Sequence, residues 1–282
     1  MNTVKTFFLL MVLTGLLLVI GGVIGGEAGI VFALIFALVM NFGAYWFSDR
    51  IALKMAHAHP VTEHEYPELY SIVAEQASNA GLPMPKVYEI DSDSPNAFAT
   101  GRSPQKATVA VTSGIRRILT REELGGVLAH EMAHVGNRDT LIMAVVATIA
   151  GAISMLAMIA QFSMIFGGMG GGRDRGGGII GLLVVAIVMP LAAGLVRAAI
   201  SRTREYQADA TGARWSGNPY ALASALEKLE MGSQARPMQV AEGASHLFIV
   251  NPLSGRSMAS LFSTHPPIAE RVRRLREMGP RF

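Results

Sequence analysis

Two long tracts of this 282-residue chain are nearly devoid of charge: residues 6–48 and 140–196 contain only Glu27, Arg173, Asp174 and Arg175 among their acidic and basic side chains. A helix needs roughly 17 to 25 mostly apolar residues to cross a hydrocarbon core. Four stretches reach that length: Thr6 to Val23, Ile30 to Phe47, Leu141 to Phe166 and Ile179 to Val196. Charged residues make up 16% of the chain, against about 25% in an ordinary soluble domain, and the deficit is confined to these tracts. The composition therefore describes a membrane part joined to a soluble globule. It excludes a disordered tail protein and a simple soluble enzyme.

The first stretch follows Lys5 and resembles a secretory signal, yet no clear small-residue cleavage site precedes a soluble domain, and a second stretch follows at once. It reads as one limb of an uncleaved hairpin. The turn between the limbs, Gly21 to Gly29, holds no Lys or Arg, whereas Lys5, Arg50 and Lys54 flank the far ends. The positive-inside rule then puts the turn outside and the soluble part in the cytoplasm. The second pair is joined by the flexible run Gly167 to Gly178; its Arg173 and Arg175 oppose an outside placement but are outnumbered by Arg138, Arg197, Arg202 and Arg204. Two crossings return the chain to the face it left, so residues near 135 and near 200 emerge on one side. The expected organisation is a membrane hairpin (1–48), a first catalytic part (49–139), a second membrane hairpin with a glycine-rich loop (140–200) and a second catalytic part (201–282).

The chain has no cysteine, which excludes a disulfide scaffold, a thiolate nucleophile and Cys-ligated metal sites. Any metal must sit on His and carboxylates. The net charge of +3 has a topological explanation, and no nucleic-acid-binding motif accompanies it.

The soluble segments predict an α+β fold. Pro67 to Ala80 has helical periodicity; Lys86 to Asp91, Asn96 to Thr100 and Ala107 to Thr112 alternate as strands. Thr120 with Glu123 forms a capping box ahead of a helix over Arg121 to Val135. Further helices are expected over Arg202 to Trp215, Pro219 to Met231 and Pro267 to Met278.

The helix after Thr120 carries His130-Glu131-Met132-Ala133-His134, an HExxH string. Residues four apart stack on one helix face, so both imidazoles can point at one ion with Glu131 beside it. A solvated helix face is the plain alternative. It is strained, because Leu124, Val127, Leu128 and Glu131 share an apolar stripe and would bury an acid without compensation. A catalytic zinc takes three protein ligands and keeps a fourth position for water. An extension of the motif with a third histidine is ruled out by Asn137 and Thr140, and no Glu occurs from Thr140 to Arg204. The first downstream is Glu205, in SRTREYQAD, with Asp209 one turn later on the same face. Glu205 is thus the expected third ligand, and Asp209 the carboxylate that orients a ligating histidine. Taken alone, those two acids would read as an exposed face paired with Arg202 or Arg204.

At these residues the chain resembles the HtpX family of bacterial membrane zinc endopeptidases, relatives of the CAAX prenyl proteases. The resemblance runs over NAFATG (Asn96 to Gly101), HEMAHVGNRD (His130 to Asp139), EYQAD (Glu205 to Asp209), HLFIVNPL (His246 to Leu253) and THPPIAER (Thr264 to Arg271). It implies a zincin-like (gluzincin) catalytic domain with four transmembrane helices in two hairpins. It also implies one Zn2+ per chain on His130, His134 and Glu205, with Glu131 as general base. Asn96, Ala97 and Phe98 would form an edge strand above the metal to which an extended substrate adds. His265 would approach the cleft and stabilise the oxyanion, its plain alternative being a capping histidine. Arg271 would brace its own segment or pair with Asp209, while Arg273, Arg274 and Arg276 extend the run from Arg271 as a solvated face. His57, His59 and His64 read as solvated linker histidines.

The implied function is zinc-dependent endoproteolysis on the cytoplasmic face of a bacterial inner membrane. The expected partners are the lipid bilayer and misfolded or unassembled membrane proteins, with no nucleic acid. Two other classes remain at this stage. A zinc carrier would place ionisable ligands inside the spans, which are nearly free of them. A noncatalytic zinc-containing membrane scaffold would want a closed four-ligand site, with His265 as the available fourth donor.

Overall fold

The computed structural model describes residues 2–146, 202–238, 240, 245, 247–251 and 266–279. The third and fourth apolar stretches beyond Val146, the glycine-rich link and His265 lie outside the described residues.

The chain begins with α1 (Asn2–Trp46), which is not one rod: Gly26 leaves the helical region at φ 57°, ψ −140°. Only glycine adopts such a conformation without a Cβ clash. The chain doubles back there into two limbs. The amide of Asn41 donates to Thr14 Oγ1 at 2.8 Å, Phe7 stacks on Tyr45 at 6.4 Å, and Gly21 and Gly29 touch so closely that a Cβ on Gly21 would lie 2.4 Å from the Gly29 carbonyl oxygen. The limb Gly25–Trp46 is long and apolar enough to cross a membrane, and Phe32, Ile35, Leu38, Val39 and Phe42 on it face outward.

There follow α2 (Ser48–Met55), β1 (His59–Pro60), α3 (Pro67–Asn79), β2 (Lys86–Ile90), β3 (Ala97–Thr100), β4 (Thr108–Thr112), α4 (Ser113–Ile118) and α5 (Arg121–Gly136). After the undescribed segment come α6 (Arg202–Ser216), α7 (Pro219–Ala235) and α8 (Ile268–Glu277). The fold is α+β, mostly helical, with one small sheet among the described residues. Its strand order is β1-β2-β4-β3, with β2 parallel to β4 and β3 antiparallel to it.

Period-two alternation sends the sheet's side chains to two cores. Val87, Ala97, Val109 and Val111 pack with Ile72 and Val73 of α3, Leu124 and Leu128 of α5, Leu226 of α7 and Leu275 of α8. Ile90, Phe98 and Ala110 on the other face pack with Leu53, Ile142, Met238 and Phe248. Residues 139–146 are helical, and Leu141 and Val145 pack with Leu10 and Ala44 of the N-terminal limbs. The start of the third apolar stretch thus lies beside the first two.

Short elements escape the sequence reading. Strand β1 falls within the tract read as a linker, and α2 and α4 were not expected. His57, His59 and His64 are all exposed.

Candidate metal centre

The capping box ahead of α5 is present: Thr120 Oγ1 accepts from the Glu123 N–H, and the Glu123 carboxylate accepts from the Thr120 N–H. Glu123 also accepts from Ser224 at 2.6 Å and Lys228 at 2.7 Å, tying α5 to α7. This start sets the rotation of α5, so that Leu124, Val127, Leu128, His130, Glu131 and His134 are all buried. The solvated-face alternative is therefore excluded, as it is for Glu205 and Asp209, which are 2% and 3% exposed.

Helix α6 lies directly on the backbone of α5. A Cβ on Gly212 would sit 2.6 Å from the His130 nitrogen, well inside contact, so only glycine permits the approach. Across this seam one ligand atom from each of His130, His134 and Glu205 falls within 4.8 Å of the others. The imidazole Nε2 atoms are 3.2 Å apart. Glu205 Oε2 lies 3.8 Å from His130 Nε2, and its Oε1 lies 3.6 Å from His134 Nε2. Ligands on a tetrahedral zinc at about 2.0 to 2.1 Å stand about 3.3 Å apart, so the spacing suits one such ion.

The back of each ring meets a carboxylate. His130 Nδ1 is 3.0 Å from Asp209 Oδ1, and His134 Nδ1 is 3.2 Å from Asp139 Oδ2. These contacts place the proton of a neutral imidazole on Nδ1 and leave the Nε2 lone pairs converging with a carboxylate. Three electron-pair donors so arranged in a buried space repel one another unless a cation sits among them. That cation is either a bound metal or the proton of His134 together with the Arg271 guanidinium, whose Nη2 lies 3.4 Å from His130 Nε2 and whose Nη1 lies 3.9 Å from Glu205 Oε2. The residues present therefore fit a zinc ion. Burial opposes a charge on His134, but the Asp139 hydrogen bond and the Glu205 and Glu131 carboxylates outweigh it and bring its pKa to about 9. A metal entering here displaces that proton. Burial is the larger influence on His130 and lowers its pKa.

Arg271 is fully buried. Its Nε and Nη2 donate to the two oxygens of Asp209 at 2.8 and 2.7 Å, and its Nη1 donates to the Ile249 carbonyl at 3.1 Å. Burial works against the Asp209 charge, but this bidentate guanidinium prevails and lowers its pKa to about 2. Of the four arginines read together as a solvated face, Arg273, Arg274 and Arg276 are exposed and paired with Glu270, Glu277 or Glu227. Arg271 departs from that reading because Asp209 draws it inward.

Glu131 sits beside the three donors. Its Oε2 accepts the Ala99 N–H at 2.8 Å, and burial pushes its pKa up to about 8. Among the described residues strand β3 lies at the edge of the sheet. Thr112 N–H donates to the Asn96 carbonyl, so by alternation Ala97 and Ala99 turn their main-chain groups outward. That side is covered. Ile249 N–H donates to the Ala97 carbonyl at 3.0 Å, and the Asn96 side chain donates to the Val250 carbonyl at 2.7 Å and accepts its N–H at 3.3 Å. Phe98 points to the opposite face, edge-on to Phe248 at 5.1 Å. Asp139, Gly212 and the 249–250 cover were not foreseen as site features. The quoted HEMAHVGNRD and HLFIVNPL strings contained the first and last without marking a role.

Residues 63–279 match peptidase family M48. The chain is 56% identical over 277 residues to a protease HtpX homologue of Syntrophobacter fumaroxidans, covering 97% of this chain and 98% of the relative. It is 52% identical over 280 residues to the protease HtpX of Legionella pneumophila strain Corby, covering 98% and 99%. Among solved structures it resembles the crystal structure of S. mikatae Ste24p, with a TM-score of 0.52 and 21% identity; the match covers 97% of this chain and 65% of that one, a likeness of fold alone.

Proposed function

The chain belongs to peptidase family M48 and within it to the HtpX proteases, a metalloendopeptidase using zinc, and from that premise we propose a zinc endopeptidase at the cytoplasmic face of a bacterial inner membrane that cuts misfolded or unassembled membrane proteins. The observation that carries the reading is the buried convergence of His130, His134 and Glu205 with Glu131 alongside. Among the described residues this set offers three donors, fewer than the four of a closed structural site.

His130, His134 and Glu205 hold the ion. Bound there, zinc supplies an electrophile that polarises a peptide carbonyl and brings the pKa of water towards about 7. Glu131 takes the proton of the attacking water on its free oxygen, since the other is held by Ala99, and delivers it to the leaving amine. Asp209, clamped by Arg271, keeps the His130 proton on Nδ1. His265 lies outside the described residues; its proposed role is to stabilise the oxyanion. The substrate adds as a strand along Asn96, Ala97 and Phe98, and residues 249–250 withdraw to admit it.

The outward apolar side chains of the N-terminal limbs support membrane attachment, and Arg50 and Lys54 after them support a cytoplasmic catalytic part. Because the chain lacks cysteine, single cysteines at Glu27 and at His64 test the orientation. An impermeant thiol reagent added outside spheroplasts should label the first and spare the second; the reverse pattern would invert the topology.

The chemical test is Glu131→Gln. The variant should bind one zinc as the wild type does and cut casein at least about a thousandfold more slowly. A zinc-loaded variant cutting at the wild-type rate would remove Glu131 from the mechanism.

A further inference from the structure

Helix α5 ends at Gly136, and the chain then turns through Arg138 at φ 59°, a left-handed conformation that side-chain-bearing residues seldom adopt. The turn brings Asp139 back beneath the helix, where a carboxylate five positions beyond His134 meets its Nδ1. Thr140 Oγ1, donating to the Gly101 carbonyl at 2.7 Å, anchors the bend from the other side. Asp139 is 2% exposed, and its second oxygen lies 3.6 Å from Arg204 Nη1. Arg204 immediately precedes Glu205.

Asp139 and Arg204 flank the long apolar segment, one just before it and one just after. We propose that they form a positioning pair, closing the two ends of that segment against each other and so setting the distance from His134 to Glu205. One oxygen of Asp139 holds the tautomer and tilt of His134; the other holds the first turn of α6. Gly212 and the Asp209–His130 contact fix α6 against α5 further along. Glu205, in the first turn, meets Arg271 Nη1 at 3.9 Å, and Arg204 one residue away adds the tie to Asp139 at that end of the helix. A shift of the membrane segment would move Arg204 and Glu205 together, so the pair couples that segment to the metal geometry. The inference rests on the zinc reading above.

Cobalt(II), titrated into the full chain in detergent, reads affinity from the titration and ligand geometry from its visible absorption. Asp139→Asn should weaken cobalt binding about tenfold to a hundredfold, the usual cost of losing a carboxylate behind a ligating imidazole. Arg204→Gln should weaken it less than Asp139→Asn does and alter the absorption bands, whereas Arg204→Lys should restore both. The double variant should bind no more weakly than Asp139→Asn alone, because the two act as one unit. Wild-type affinity and spectrum in both single variants would overturn the proposal, as would losses that multiply in the double. If Asp139→Asn fails to fold, the contrast between Arg204→Gln and Arg204→Lys decides alone: equal affinities and spectra would refute the pair. A wild-type chain that binds no cobalt, or a His134→Ala chain that binds it undiminished, would instead refute the metal site itself.

Discussion

At the residue scale, Gly212 shows what a single missing Cβ permits. With a methyl group 2.6 Å from the His130 nitrogen, Gly212→Ala must push α6 off α5. Overpacking of this kind costs about 1 to 3 kcal/mol, and the shift separates Glu205 from the histidines. The expected result is a lower unfolding midpoint together with weaker zinc binding; a midpoint and an affinity equal to the wild type would mean the helices have room to spare. The histidine pair was legible because its spacing is a property of any helix, and Glu205 because the stretch before it contains no competitor. Gly212 was not legible, since close approach between helices leaves no periodic trace. Asp139 was hidden for another reason: its contact with His134 depends on a left-handed turn at Arg138 that no propensity would suggest. Arg271 was legible as a partner of Asp209 and misread as a member of a basic face, since four arginines in six positions resemble a solvated surface until one finds a buried acid.

At the scale of elements, the longer helices α3, α5, α6, α7 and α8 and three of the strands were readable from periodicity and capping, with ends displaced by a few residues, whereas the short α2 and α4 were not. Strand β1, two residues long and defined only by pairing with β2, has too little sequence to show alternation. The covered edge of β3 was equally hidden, because residues 249–250 lie about 150 positions from Asn96 and meet it only in the folded chain. The aromatic contact between Phe98 and Phe248 secures that cover. Phe248→Ala removes a fully buried ring, which costs about 3 to 5 kcal/mol at core sites, and here the loss falls on a short segment. Hydrogen exchange at the Ile249 and Val250 amides should quicken, and KM for an extended peptide should fall with little change in kcat. An unchanged KM alongside faster exchange would show that the cover does not compete with substrate.

At the scale of the whole molecule, the catalytic part is assembled from two lengths of chain separated by an apolar detour. The segregation of charge is the ground for that division, and the N-terminal limbs with their outward phenylalanines are compatible with the first hairpin; the remaining two stretches lie almost wholly outside the described residues. The central claim is that the detour brings Glu205 back to complete a site begun by His130 and His134. Zinc content of the purified full chain, measured beside Glu205→Ala at equal free metal, tests it most directly. One zinc per chain in the wild type, and an affinity at least about tenfold weaker in the variant, is the expected result. Stoichiometric zinc held as tightly without Glu205 would contradict the account.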